Sequence, residues 1–433
     1  MAARPGLPRS LEHPLPAGLR DLLPDEARHL EQLAQLVQAR FALYGYKLVT
    51  PPAFELADVI ERGLGMLLPS DVLRFVEPES GEVCVLRPDM TPQIARIVAT
   101  RLRDREPPYR LAYNGTVVRR RIGRAKKHRQ IPQVGVELCG IAGPEADLEM
   151  LELAVDVLRK AGLSRFTVDI SDAGIVRGLV TGLSSERADD ITSALAKKDE
   201  ARLADVASGC AYGDTLQKLA RLRGGREALV LARALLAATP SASAAERLLS
   251  LFDAAHARGL GKFLTADATE VRGLAYYTGT IFSIYAPGPG EPIGGGGRYD
   301  GLLARFGEAM PAVGLGLDLD ALAWARKEAG QVDNGRKGVV VVGPPDDMRL
   351  FALRSRGVSA VALPTREHAQ NYAASWGFAL VWDGSVLVDV ASGVEVTISG
   401  SAAACDSTAS SIDSIDEATE AVTSVLRTGA RGA

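Results

Sequence analysis

An α+β fold with a helical insertion and a small α/β domain at its C-terminal end is predicted by three observations. Residues near the beginning repeat apolar side chains at helical spacing and then give way to short β-type runs. Residues 180–258 are rich in Ala, Leu, Arg, Asp and Glu with helical periodicity and few β-branched runs, which marks a helical block inserted between strand-forming regions. After a polar, Gly-containing linker, Val339-Val-Val-Val342 opens a segment in which apolar runs alternate with helical stretches, the pattern of a small α/β domain.

Taken in order, residues 1–15 are Pro- and Arg-rich and are expected to be a flexible N-terminus. A core is expected over 16–325. Its first helix is predicted from about Asp25, where Leu30, Leu33, Val37, Phe41 and Tyr44 form one apolar stripe before Gly45. Val49-Thr-Pro-Pro52 reads as a strand ended by proline. Between about 110 and 172 strand and helix patterns alternate, with Val134-Gly-Val-Glu137-Leu-Cys139 as a strand and Glu145 to Ala161 as an amphipathic helix. The insertion follows at about 180–258, and strand patterns return over 264–318. Residues 326–335 are the expected linker and 336–433 the C-terminal domain, with strands at Val358–Leu363 and Phe378–Trp382, a Ser/Ala-rich tether over 400–413 and one short helix in the last twenty residues.

At 433 residues the chain has material for two or three domains, and 24% charged with 47% hydrophobic residues is the composition of an ordinary globular protein. A net charge of −3 supplies no global basic field for nucleic acid. Cys84, Cys139, Cys210 and Cys405 are scattered without a CxxC pair and only five histidines are present, so neither a disulfide framework nor a zinc site is indicated. The N-terminus lacks an apolar h-region and no long apolar run appears, so a cytoplasmic protein, neither exported nor membrane-spanning, is expected.

Four strings carry the functional argument: Leu86-Arg87-Pro88-Asp89-Met90-Thr91, the segment Val118 to Gln133 with Glu137, Arg272-Gly-Leu-Ala-Tyr276-Tyr277, and Gly294-Gly-Gly-Gly-Arg298-Tyr299-Asp300 followed by Pro311 to Leu322. Together they resemble the motifs of histidyl-tRNA synthetases, class II aminoacyl-tRNA synthetases. That resemblance, good over roughly 14–325, implies an antiparallel catalytic-type sheet flanked by helices, self-association through a class II-type dimer interface, and a C-terminal domain similar to a trimmed anticodon-binding domain. It puts Arg119 at the ATP-phosphate arginine of the family and Gln133 and Glu137 at groups that hold the amino group of histidine. Asp89 and Thr91 complete a cage for the ammonium, because a buried cation left unpaired is costly. Arg272 falls on the arginine for the ligand carboxylate, and Tyr276 and Tyr277 flank an imidazole. On a strand, successive residues face opposite sides, so at most one of these two tyrosines is expected to touch ligand.

The departures from the synthetase pattern matter as much. Ala321 stands where the family has its triphosphate-clamping arginine, Asp318 where it has glycine, Arg121 where it has glutamate, Gly123 where it has proline and Ala275 where it has aspartate. Catalysis at phosphates rests on positive charge placed in advance, so these changes imply that the chain no longer activates an amino acid. With Leu315-Gly-Leu-Asp318-Leu and Pro88-Asp89-Met-Thr-Pro-Gln-Ile-Ala-Arg96, the set is similar to the regulatory subunits of ATP phosphoribosyltransferase. This implies no catalytic residue, no metal, no cofactor, no tRNA, histidine as ligand at Asp89, Thr91, Arg119, Gln133, Glu137, Arg272, Tyr276 and Tyr277, and a short-form catalytic phosphoribosyltransferase subunit as hetero-oligomeric partner. A divergent histidyl-tRNA synthetase and a stand-alone histidine sensor remain as alternatives. The seven basic residues between Arg119 and Arg129 read either as a solvated loop or as a contact for a phosphate-rich ligand or acidic partner.

Overall fold

The computed structural model describes residues 15–64, 72–119, 128–271, 276–331, 337–398 and 410–428. The expected flexible segment at 1–15 lies almost wholly outside them, and residues 120–127 of the basic run, Arg272, Ala275 and residues 332–335 of the linker lie outside them. The chain divides into two compact units, Met1–Val332 and Asp333–Ala433.

The first unit opens with α1 (Pro24–Leu43), whose first turn holds Pro24, Asp25 and Glu26 and whose last turn holds Arg40. Proline at the start needs no N–H partner, and the charges oppose the helix dipole at both ends. Leu30, Leu33, Val37 and Phe41 are buried along one stripe. The strand expected at Val49–Pro52 sits slightly earlier, as β1 (Lys47–Leu48), because the two prolines have no N–H to give a ladder. A small sheet of β2 (Phe54–Leu56), β3 (Arg74–Val76) and β4 (Val83–Leu86), in the order β2-β4-β3, accompanies α2 (Ala57–Leu64) and α3 (Thr91–Arg101).

The main sheet adds β5 (Tyr109–Val118), β6 (Gln130–Cys139), β7 (Thr167–Asp172), β8 (Arg223–Gly224), β9 (Leu264–Asp267), β10 (Thr280–Tyr285), β11 (Gly294–Arg298) and β12 (Ala312–Asp318). Its nine strands run in the order β1-β5-β6-β12-β11-β10-β7-β9-β8. Pairing is antiparallel except for β1 with β5 and β7 with β9. Strand alternation divides this unit into two cores. Val134, Val136 and Leu138 of β6 and Val313, Leu315 and Leu317 of β12 face one core, with α1 and α4 (Pro144–Lys160) over them. Ile131 and Cys139 of β6 and Leu111 and Tyr113 of β5 face the other, with α3. The residues between the first set, Gln133, Gly135, Glu137, Gly314 and Gly316, therefore share the second face. That face carries the candidate site.

After α5 (Ala173–Leu179), the stretch 180–258 contains α6 (Ser185–Ala196), α7 (Glu200–Val206), α8 (Gly213–Leu219), α9 (Arg226–Leu236) and α10 (Ala242–Ala257), with the two-residue β8 among them. The unit closes with α11 (Leu319–Glu328), so helix continues into the first residues expected to be linker.

In the second unit β13 (Val339–Val342), β14 (Ala360–Leu363), β15 (Leu380–Asp383), β16 (Val386–Asp389) and β17 (Glu395–Thr397) form a sheet ordered β14-β13-β15-β16-β17. The connections through α12 (Met348–Ser355) and α13 (Arg366–Trp376) make β14, β13 and β15 parallel. The last helix is longer than the sequence suggested: α14 (Ser410–Thr428) begins inside the stretch expected to be tether, and Ala418, Val422 and Val425, at four- and three-residue spacing, are buried with Leu350 and Leu353 of α12. Packing of that apolar stripe, not the polar Ser/Asp composition of its first turn, decides the helix.

Candidate functional site

A cleft of about 750 Å³ opens on the second face of the main sheet. Seven of the eight residues expected to hold histidine line it: Asp89, Thr91, Arg119, Gln133, Glu137, Tyr276 and Tyr277. They come from the loop before α3 and its first residue, from the residue after β5, from β6 and from the segment before β10, so residues nearly two hundred positions apart in the chain meet there. The eighth, Arg272, lies outside the described residues.

Glu137 is the centre of the polar network. It is 1% exposed, and the Thr91 hydroxyl donates to its Oε1 at 2.7 Å. The Tyr299 hydroxyl donates to Oε2 in a short contact. Room for the carboxylate exists because its neighbour across the ladder is Gly314, where an added Cβ would stand 1.8 Å from Oε2. Burial, followed by the charge of Asp89, pushes the Glu137 carboxyl up to about 8, against the two donated hydrogen bonds that favour its ionised form. Near neutral pH Glu137 therefore carries a proton unless a cation lies beside it.

Asp89 is also buried; it accepts from the Thr91 backbone N–H at 3.3 Å and from the Tyr276 hydroxyl at 3.1 Å. Tyr276 packs against Tyr277 and Tyr299 with ring centroids 4.9 and 5.6 Å apart. Burial first, and then the nearby carboxylates, raise the phenols of Tyr113, Tyr276 and Tyr299 well above their ordinary range, so they stay protonated as hydrogen-bond donors. Among the described residues Gln133 Oε1 is buried without a hydrogen-bond partner. Such an acceptor on a cleft wall suits a ligand N–H. Arg119 donates from Nε to the Pro88 carbonyl at 3.0 Å.

Several expectations are corrected. Tyr276 and Tyr277 precede β10 and are not part of a strand, so the alternation argument does not apply to them and both line the cleft. The four glycines lie in the region where strand patterns were expected to return. They are β11, held between β10 and β12, and at Gly296 an added Cβ would stand 1.9 Å from the Gly314 carbonyl oxygen. Asp318, read from the sequence as an anion placed among phosphates, caps α11 by accepting from the Ala321 N–H at 3.1 Å, although it also lies on the cleft wall. Ala321 is buried in the first core. Arg298 of the glycine motif is likewise structural, donating to Asp147 at 2.6 Å and to the carbonyls of Ile141 and Gly143.

The sequence reading did not name Tyr113 and Tyr299 as site residues. Tyr299 stood inside a quoted motif, and its hydroxyl partner Glu137 becomes visible only when β11 and β6 are brought to opposite sides of β12. Lys198, Glu270, Tyr285 and Glu291 also line the cleft. Lys198 Nζ donates to Asp267 and Glu270, each at 2.7 Å. Asp169, Asp267 and Glu270 place carboxylate oxygens within 4.8 Å of one another, but Lys198 and Arg223 already sit on Asp267, and the cluster is a salt-bridge network.

The histidyl-tRNA synthetase family profile matches residues 18–322. Over 389 residues, 86% of this chain and 98% of the relative, the sequence is 39% identical to an ATP phosphoribosyltransferase regulatory subunit of Moorella thermoacetica. A protein of the same name in Anaeromyxobacter dehalogenans is 42% identical over 333 residues, 75% of this chain and 94% of the relative. Among solved structures, an ATP phosphoribosyltransferase regulatory subunit/histidyl-tRNA synthetase from Bacillus halodurans superposes with a TM-score of 0.74 at 28% identity, covering 86% of this chain and 98% of the other. No helix among the described residues is long and apolar enough to cross a membrane.

Proposed function

This chain belongs to the histidyl-tRNA synthetase-like family of ATP phosphoribosyltransferase regulatory subunits, and from that premise we propose that its cleft binds free histidine without activating it and reports occupancy to a separate catalytic subunit. Its role is that of a regulatory subunit in histidine biosynthesis. The observation that carries the finer reading is the charge of the cleft. Among the described residues its wall holds the carboxylates of Asp89, Glu137, Glu270, Glu291 and Asp318 against the cations Arg119 and Lys198. Lys198 is already committed to Asp267 and Glu270.

An α-ammonium fits between Asp89 and Glu137, with the Thr91 hydroxyl and the faces of Tyr276 and Tyr277 around it. The open acceptor of Gln133 takes a ligand N–H, and Arg272 is the proposed partner of the ligand carboxylate. The same wall disfavours a triphosphate, since Ala321 provides no cation and Asp318 adds an anion. Binding without chemistry acts by shifting an equilibrium, limited by the difference in histidine affinity between the two states of the complex. The partner proposed is the short-form catalytic subunit, and no tRNA is required.

The test is a pair of measurements on the purified chain. Histidine binds by calorimetry, while histidine-dependent pyrophosphate exchange stays at background, because loss of one phosphate clamp costs about 2–4 kcal/mol of transition-state stabilisation, or roughly two to three orders of magnitude in rate. Exchange at a rate ordinary for synthetases would restore the enzyme reading. Mixing with a short-form phosphoribosyltransferase should raise its activity and make it histidine-sensitive; histidine binding without any effect on that partner would leave a stand-alone sensor.

A further inference from the structure

A second hollow, of about 670 Å³, lies where the loop after α4, the turn before β9 and the end of β10 meet. Its floor is Phe166 and Phe263, stacked with centroids 4.5 Å apart and planes 2° from parallel. Arg159, Arg165 and Lys262 stand around it, all exposed, and no carboxylate lines it. Among the described residues none of these three cations has an ion-pair partner, though Lys262 Nζ lies 4.9 Å from the Phe263 ring centre.

Their freedom follows from how α4 spends its acids. Asp156, one turn before Arg159, is taken by Arg40, and Glu152, two turns before it, by Arg258, so neither is left for Arg159. A basic last turn suits the helix dipole and accounts for Arg159. It does not account for Arg165 and Lys262, which come from two other segments and converge on the same hollow in a chain whose net charge is −3.

We propose that this groove binds an organic phosphate of the nucleotide class. Two guanidinium forks and an ammonium match phosphate oxygens. The volume is that of a site for a drug-sized molecule, larger than a bare phosphate needs, and the apolar floor with Tyr285 beside it suits a flat ring. Tyr285 lines both this groove and the histidine cleft, so the two hollows share a wall. The proposal is independent of what the cleft binds.

The full-length chain is titrated with AMP and with ATP at low salt, with adenosine as the uncharged control. AMP and ATP are expected to bind saturably below millimolar concentration, more weakly as salt rises, and adenosine at least tenfold more weakly. The triple variant R159A/R165A/K262A, all at exposed positions, should lose at least tenfold in nucleotide affinity with histidine affinity unchanged; R165E alone should lose a comparable factor. Absence of saturable nucleotide binding overturns the proposal, as does equal binding of adenosine. Unchanged nucleotide affinity in the triple variant also overturns it, by placing the nucleotide elsewhere. If no nucleotide binds and the variant instead fails to join the catalytic subunit, the groove is a contact for an acidic protein surface and the proposal falls.

Discussion

The two hollows that meet at Tyr285 are similar in size, about 750 and 670 Å³, and opposite in charge. Among the described residues the cleft gathers carboxylates and buries two of them, Asp89 and Glu137, inside a network of hydroxyl donors. The groove gathers cations, leaves them exposed and gives them no acid. A buried charge is expensive and persists only where neighbours or a ligand compensate it, whereas an exposed cation costs little to keep waiting. The contrast fits the proposed reading, in which the cleft takes one small cationic group and draws its specificity from the buried hydrogen bonds around Asp89 and Glu137. The groove sets exposed cations beside an apolar floor, so phosphate charge would supply most of its affinity and the flat ring its preference among anions.

The sharpest way to break this comparison is at Glu137. Removing it strands the hydroxyls of Thr91 and Tyr299 and takes away a carboxylate facing the ligand ammonium, so Glu137→Ala should weaken histidine binding by roughly 2–4 kcal/mol, or about thirty- to a thousandfold. Nucleotide binding in the groove should not change. Calorimetry with each ligand separates the two, and a Glu137→Ala chain that binds histidine normally would mean that the network is structural.

A second test uses the proton on Glu137. With the folded carboxyl at about 8 and an unfolded value near 4.5, the native state holds a proton that the unfolded chain has lost at every pH between them. The contribution of this group to stability is therefore fully present below about 4.5 and falls as pH rises through 8. An arriving ammonium favours the ionised form, so histidine binding should expel about one proton just above pH 7, where the ligand imidazole is already neutral. Affinity should rise with pH up to about 8. Calorimetry in buffers of different ionisation heat reads the proton directly, and Glu137→Gln should abolish both the release and the stability slope.

Much of the fold was legible because burial on one face leaves a period in the sequence. The stripe of α1 and the alternation of Val134, Val136 and Leu138 in β6 are of this kind. The start of α14 was not legible, since Ser410 and its neighbours are polar and the helix depends on contacts made further along by Val422 and Val425. At the site, Asp89, Thr91, Gln133 and Glu137 were found through motifs. Tyr113 was hidden among ordinary strand residues, and the role of Tyr299 required knowing that β12 separates β11 from β6. Local sequence showed one of two roles of Asp318: it lines the cleft as the letters suggested, and it also caps α11 through the Ala321 N–H, which only the fold reveals.

The smallest effect is expected there, and it separates the two roles of Asp318. Asn caps a helix about as well as Asp, while Ala does not, and losing a cap costs about 1 kcal/mol. Asp318→Ala should therefore lower the melting temperature by about 1–2 °C for a unit of 332 residues, and Asp318→Asn by less. Neither should alter histidine affinity by more than about twofold, since the proposed ammonium cage is made of Asp89, Glu137 and Thr91 and not of the α11 cap. Asp318→Asn also removes the anion from the cleft wall while keeping the capping geometry. If that single change allowed ATP to bind in the cleft or brought pyrophosphate exchange above background, charge at Asp318 would be what excludes the nucleotide. Continued absence of both leaves the missing cation at Ala321, buried in the first core, as the stronger barrier.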